Sequence, residues 1–244
     1  MVENSVPTIK NEIRYRIWDL LDKKKIARFP LPPHGRIPNF EGAERAAQIL
    51  RKTDIWRKAS VIKCNPDSPQ RPVREIALIE GKILYMAVPR LRDERCFIEL
   101  HKSRIMGNPV SAATIKGAFR WGKKVGPEHM KSVDLVIAGS VAVDKKGGRI
   151  GKGGGFSDLE FAIAREFKIL KENTPVVSTV HFLQVIEDNI PMTKHDVPMD
   201  YAITPKDLIK APKRPKPKGI LWEDLSPKKI EEIPILKKMK NKIC

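Results

Sequence analysis

Apolar residues recur at helical spacing in some stretches of the chain and run together in others. Residues 8–29 predict a helix, with Ile13, Ile17, Leu20 and Leu21 on its apolar face. Residues 29–40, holding Pro30, Pro32, Pro33 and Pro38, predict an extended connector. A second helix follows over 41–52, carried by Ala43, Ala46, Ala47 and Leu50. The pattern then alternates: strand 59–64, helix 73–80, strand 82–88, short strand 96–100, helix 111–121, and buried strands at 133–138 and 140–143. A turn at 144–148 and a glycine-rich loop lead into a helix reaching about residue 171, with Leu159, Ile163, Phe167 and Leu170 as its buried stripe. Strands at 175–180 and 201–204 close the series. This alternation predicts an α/β fold with a mainly parallel sheet flanked by helices, whose ligands bind beyond the carboxyl ends of the strands.

Residues 1–205 are expected to form one such domain, without internal repeats. Residues 206–244 form a basic extension, with a Pro- and Lys-rich linker at 212–218. Beyond the linker, Ile220, Leu221, Trp222, Ile233, Ile235 and Leu236 are too apolar for a free tail and are expected to dock on the domain or on a partner.

The glycine-rich loop carries the most chemistry. In Arg149-Ile150-Gly151-Lys152-Gly153-Gly154-Gly155-Phe156-Ser157-Asp158, four of the five positions 151–155 are glycine, so a ligand can approach the main chain closely. Bare amides followed by a helix N-terminus suit a phosphate. Arg149 and Lys152 add positive charge, and Asp158 adds a carboxylate of the kind Mg²⁺ takes. The loop is neither a Walker A loop nor a dinucleotide fingerprint, because Gly153 follows Lys152 and Phe156 stands where a third glycine is needed. A flexible hairpin is the competing reading of the glycines, and compensation of the helix dipole that of Asp158. Ser157 and Glu160 have the spacing of a capping box, which predicts Ser157 as the N-cap. In the first helix, Lys10 and Arg14 stand one turn apart on one face, either solvated or sharing an anion.

Charge and cysteine usage narrow the setting. The formal net charge of +18 favours polyanions, nucleic acid among them. Twelve basic and five acidic residues lie beyond residue 205. Against nucleic acid, no aromatic-bearing recognition signature is present, and abundant Lys, Arg and Glu also suit heat adaptation. Cys64, Cys96 and Cys244 are few and widely spaced, which suits a reducing cytoplasm and neither a disulfide framework nor a zinc site. No apolar run is long enough to cross a bilayer, and the first residues lack the pattern of a signal peptide.

Taken with Asp134-Leu135-Val136-Ile137-Ala138-Gly139-Ser140-Val141-Ala142-Val143-Asp144 before it, the glycine loop resembles the 5-formyltetrahydrofolate cyclo-ligase (methenyltetrahydrofolate synthetase) family. The family pattern is a strand, an Asp-containing turn and Arg-Leu-Gly-x-Gly-x-Gly-Tyr-Tyr-Asp. Lys10 and Arg14 match its Lys-x-x-x-Arg, and Lys194-His195-Asp196-Val197-Pro198-Met199-Asp200 looks like its closing segment. The likeness spans residues 8–205. Asn65-Pro66-Asp67-Ser68-Pro69-Gln70, Pro89-Arg90-Leu91-Arg92, Asp158-Leu159-Glu160 and Pro217-Lys218-Gly219-Ile220-Leu221-Trp222 look like the branch of methenyltetrahydrofolate synthetase domain-containing proteins.

The resemblance implies a ribose-5-phosphate isomerase/CoA-transferase-like fold, ATP, Mg²⁺ and a reduced folate. It implies phosphorylation of the formyl oxygen of 5-formyltetrahydrofolate, ring closure by N10 and departure of phosphate, giving 5,10-methenyltetrahydrofolate. Lys10 and Arg149 become the catalytic candidates. Lys10, Arg14, Gly151, Lys152, Gly153, Gly154, Gly155, Phe156 and Asp158 become nucleotide contacts, with Asp158 also the metal ligand. Two departures stand out. Phe156-Ser157-Asp158-Leu159 replaces Tyr-Tyr-Asp-Arg, and no glutamate stands where the family holds the pterin, leaving Asp67 as the available substitute. His195, Asp196 and Asp200 are expected to cap the strand at Tyr201, and His181 to be structural. Arg120, Trp121 and Lys123 are expected to form a basic surface, while Arg90 and Arg92 are placed to meet an anion. A non-catalytic nucleotide- or nucleic-acid-binding protein on the same scaffold is the alternative function.

Overall fold

The computed structural model describes residues 5–241, so the expectations for residues 1–4 and for Cys244 lie outside the described residues. Helix α1 (Val6–Lys23) buries Ile13, Ile17, Trp18 and Leu21, and Lys10 continues the same stripe. It stops short of the predicted residue 29. Lys25 takes a left-handed φ of 56°, and the Lys25 and Ile26 amides donate to the Asp22 and Leu21 carbonyls, both at 2.9 Å. The proline-rich connector is pinned at both ends by an antiparallel pair, β1 (Ala27–Arg28) and β2 (Asn39–Phe40).

The alternating region follows: α2 (Ala43–Arg51), α3 (Asp54–Lys58), β3 (Val61–Cys64), α4 (Arg71–Ile79), β4 (Ile83–Ala87), β5 (Phe97–Leu100), α5 (Ile115–Trp121), β6 (Lys123–Val125) and β7 (Leu135–Ile137). Next come β8 (Ala142–Asp144), β9 (Arg149–Ile150), α6 (Phe156–Glu166), β10 (Val176–Thr179), β11 (Val185–Ile186), β12 (Tyr201–Ile203) and β13 (Leu208–Lys210), then α7 (Pro227–Glu232) and α8 (Pro234–Lys240). Helix α5 starts four residues after the predicted 111, because Thr114 caps it by accepting from the Gly117 amide at 2.9 Å. Helix α6 ends at Glu166 rather than 171, through the same device as α1, with Lys168 at φ 57° and the Ile169 amide bonded to Ala164 at 2.9 Å.

The principal sheet runs β13-β12-β10-β7-β3-β4-β5-β6. Its central strands, β12, β10, β7, β3 and β4, are parallel, and antiparallel strands close both edges. Parallel strands covered on both faces read as continuous apolar runs, and β3 and β7 are buried throughout. Alternate residues of one strand enter opposite cores. Ile62, Leu84 and Met86 join the α2 and α4 side chains, while Val61 and Tyr85 join Leu159 and Ile163 of α6. Ile230 of α7 and Ile235 and Leu236 of α8 are buried in this second core, as is Ile233 between the two helices. A small sheet, β11-β8-β9, packs under α1.

From β3 the chain passes to β4 on one side, and from β7 to β10 on the other. The carboxyl ends of β3 and β7 therefore flank a topological switch point, where open α/β sheets form crevices.

Candidate functional site

The glycine loop joins β9 to α6, and its geometry requires glycine at two positions in particular. Gly153 has φ 107°, and Gly155, at φ 66°, is the residue that caps α6. The Ser157 capping box is therefore not formed. The left-handed turn at Gly155 starts the helix earlier, and Ser157 lies in its first turn with its hydroxyl directed to Asn65 Oδ1 at 3.4 Å. Glu160 turns inward instead, forming a buried ion pair with Lys63 of β3. Burial drives the Glu160 carboxyl above its ordinary range, although Lys63 works against it. With a glycine cap, no side chain among the described residues occupies the first amides of α6, and they remain available to an anion.

The charged candidates surround this loop, each held by a defined contact. Arg149 is buried. Its guanidinium donates to Gly139 O at 3.0 Å and Val197 O at 3.2 Å and pairs with Asp158 Oδ1 at 2.5 Å. The same Asp158 oxygen accepts from the Val197 amide at 3.1 Å, and Oδ2 takes no hydrogen bond from the described residues. Arg149 thus ties three chain segments together and orients Asp158. Lys10 is buried against Asp196 at 2.5 Å. Burial opposes charge on Asp196, but donation by Lys10 and Thr193 outweighs it, and the carboxyl is held below its usual range.

Arg14 Nε donates to Gly151 O at 2.7 Å, and its guanidinium lies under Gly153. Burial lowers its pKa, with Asp196 pulling the other way. Lys152, nearly half exposed, reaches Asp67 Oδ1 at 2.9 Å.

The loop separates two cavities. One, of about 390 Å³, lies between α1, the loop and the chain after β13, and is lined by Lys10, Arg14, Arg149, Asp158 and Asp196. The other, of about 550 Å³, opens at the carboxyl ends of β3, β4 and β7, where Asn65, Asp67, Arg90, Gly139, Phe156 and Glu160 line it. Gly151, Gly155 and Asp158 face both. Each volume is within the range of small-molecule sites. The predicted residues therefore gather in one place, Lys152, Gly154 and Phe156 on the second cavity and Lys10, Arg14, Arg149 and Gly153 on the first.

Among the described residues, no cluster of three or more His, Cys, Asp or Glu is arranged for a metal. A Mg²⁺ here would rest on Asp158 and on phosphate oxygens, a donor set this ion accepts. Cys64 and Cys96 are buried free thiols, and burial pushes them up to about 11 and about 12 respectively. Arg90 lines the second cavity, whereas Arg120 folds over the Trp121 ring at 5.0 Å.

Two groups of site residues escaped the reading of the sequence. Asp196, assigned there to strand capping, neutralises Lys10 across 186 positions of sequence. Ile220, Leu221, Asp224, Leu225 and Lys229 line the first cavity from the extension. Ser226-Pro227 was a legible start signal for α7, with the Ser226 hydroxyl accepting from the Lys229 amide at 3.2 Å, but no local pattern shows where α7 docks.

Comparison with known proteins bears on the family and the fold. A methenyltetrahydrofolate synthase domain-containing protein of Bos taurus is 39% identical over 238 residues, covering 95% of this chain and 62% of the relative. The Homo sapiens protein of the same name is 37% identical over 246 residues, covering 98% of this chain and 63% of the relative. The chain thus spans just under two thirds of the length of these relatives. The solved structure of Aquifex aeolicus 5,10-methenyltetrahydrofolate synthetase superposes with a TM-score of 0.54 at 20% identity, covering 84% of this chain and 94% of that one, and so shares its fold. Residues 7–205 match the 5-formyltetrahydrofolate cyclo-ligase family, and the chain belongs to that family.

Proposed function

We propose that the chain is an ATP-dependent folate enzyme of the cyclo-ligase type, converting 5-formyltetrahydrofolate to 5,10-methenyltetrahydrofolate. The observation that carries the reading is the pair of cavities meeting at one glycine loop, with Gly151, Gly155 and Asp158 lining both, since a phosphoryl transfer needs the acceptor oxygen in line with the γ-phosphate and in contact with it. The first cavity offers Lys10, Arg14 and the loop amides to the phosphates of ATP. ATP supplies the phosphoryl group that turns the formyl oxygen into a leaving group. Asp158, oriented by Arg149, would hold Mg²⁺ through its second oxygen.

In the second cavity, Asp67 is the carboxylate for the donor edge of the pterin, in place of the family's glutamate. Arg36 and Arg90 line the same cavity and suit the anionic glutamate tail of a folate. Lys152 joins the two halves by pairing with Asp67 from within the phosphate loop. Among the described residues no helix is long and apolar enough to cross a membrane. The charge-based reading of a nucleic-acid partner gains no support from the relatives.

Calorimetry with Mg-ATP and with 5-formyltetrahydrofolate, followed by an absorbance assay for the methenyl product, tests the proposal. Heat from both ligands and product formation dependent on both are expected. Binding of Mg-ATP without binding of the folate would leave a nucleotide-binding protein on this scaffold and remove the cyclo-ligase activity.

A further inference from the structure

The family match ends at residue 205, yet the first cavity is not closed by family residues alone. Gly219, Ile220, Leu221, Asp224, Leu225 and Lys229 complete its wall. The extension carrying them is anchored at several points. Lys216 pairs with Asp200 at 2.7 Å, the Ile220 amide donates to Glu166 at 2.8 Å, and Asp224 meets His195, another cavity residue, at 3.2 Å. Beyond these, Ile230, Ile233, Ile235 and Leu236 are buried in the core under α6.

Lys229 is the informative side chain. Its Nζ lies 3.4 Å from the point that a Cβ on Gly155 would occupy, and 5.8 Å from the centre of the Phe156 ring. It makes no ion pair among the described residues, whereas Lys10 is neutralised by Asp196 and Lys152 by Asp67. A cation without a carboxylate, held over the residue that starts α6, is aimed where the loop amides and the helix dipole also favour negative charge. Beside it, Ile220, Leu221 and Leu225 face Leu159 and Ala162 of α6, giving the cavity an apolar wall that suits a flat ring.

We infer that the C-terminal extension is a built-in part of the nucleotide site, with Lys229 contacting the phosphates and Leu225 with its neighbours contacting the base. This rests on the nucleotide reading of the glycine loop. It assigns ligand contacts to residues outside the matched family region.

The test compares the full chain with Lys229→Ala, Lys229→Arg and Leu225→Ala, using calorimetric titration with Mg-ATP, Mg-triphosphate and 5-formyltetrahydrofolate. Lys229→Ala is expected to weaken both Mg-ATP and Mg-triphosphate about 10-fold or more, as for the loss of a hydrogen bond to a charged group, and Lys229→Arg to restore most of it. Leu225→Ala is expected to weaken Mg-ATP while leaving Mg-triphosphate unchanged. Folate affinity stays constant throughout. Unchanged Mg-ATP affinity in both alanine variants, with the parent binding normally, overturns the inference and leaves the nucleotide site standing. A parent that binds no Mg-ATP overturns the nucleotide reading itself, and the inference with it.

Discussion

The two cavities beside the glycine loop share a wall but are built in opposite ways. The first gathers cations on a helix, a loop and the extension, elements that come together only through long-range packing. The second sits at the switch point of the sheet, where the ends of β3 and β7 open a crevice, and it sets Asn65, Asp67 and Glu160 beside Arg36, Arg90 and Lys152. The proposed roles follow that difference: the first surface would take a polyanion, the second a ligand with a donor edge and an anionic tail. Asp158 faces both, and Arg149 fixes it by bonding three separate segments.

The comparison breaks most severely at that shared point. Asp158→Ala leaves the buried Arg149 guanidinium without its carboxylate, a loss that costs about 3–5 kcal/mol where a buried pair is broken. Urea unfolding is expected to show this, together with complete loss of Mg-ATP binding. A variant of parental stability would show that the pair does not organise the site.

Lys10→Ala should act on one cavity only. Mg-ATP affinity is expected to fall about 10- to 100-fold, the range for a hydrogen bond to a charged group, while folate affinity holds. An equal loss of both ligands, read by calorimetry, would refute the division between the cavities. Asp67→Asn is the mirror experiment. It is expected to raise the KM for 5-formyltetrahydrofolate about 10-fold with little change for Mg-ATP.

Acid sharpens the same contrast through Asp196. Its carboxyl is held below the ordinary range, so its contribution to stability is full above about pH 4 and is lost as the pH falls through the depressed value. In Asp196→Asn, the stability difference from the parent should be constant at neutral pH and shrink below about pH 4 in urea melts. A difference that grows on acidification would reverse the sign and exclude the Lys10 pairing as its cause. The smallest effect belongs to Lys152→Ala. The Lys152 side chain is 48% exposed, and stability should change by no more than about 0.5 kcal/mol.

Much of the fold was legible because its elements carry full periods of their pattern. Ile13, Ile17 and Leu21 mark α1, and the apolar runs of β3, β7 and β10 mark a parallel sheet covered on both faces. Elements of two residues, such as β9 and β11, hold too little pattern to show a period, and they form only because a partner strand is already in place. The Ser157–Glu160 pattern misled for a related reason. A capping box is a local preference worth about 1 kcal/mol, and the left-handed turn at Gly155 with burial of Glu160 against Lys63 outweighs it.

By itself, the amino-acid sequence determined the α/β alternation, the glycine loop and the charges set around it, because periodicity and backbone freedom act over neighbouring residues. Tertiary structure alone decided that Asp196 meets Lys10, that Arg149 is spent on orienting Asp158, and that Lys229 reaches over Gly155. Those contacts join residues far apart in the chain, and their partners are selected by the packing of whole helices and strands.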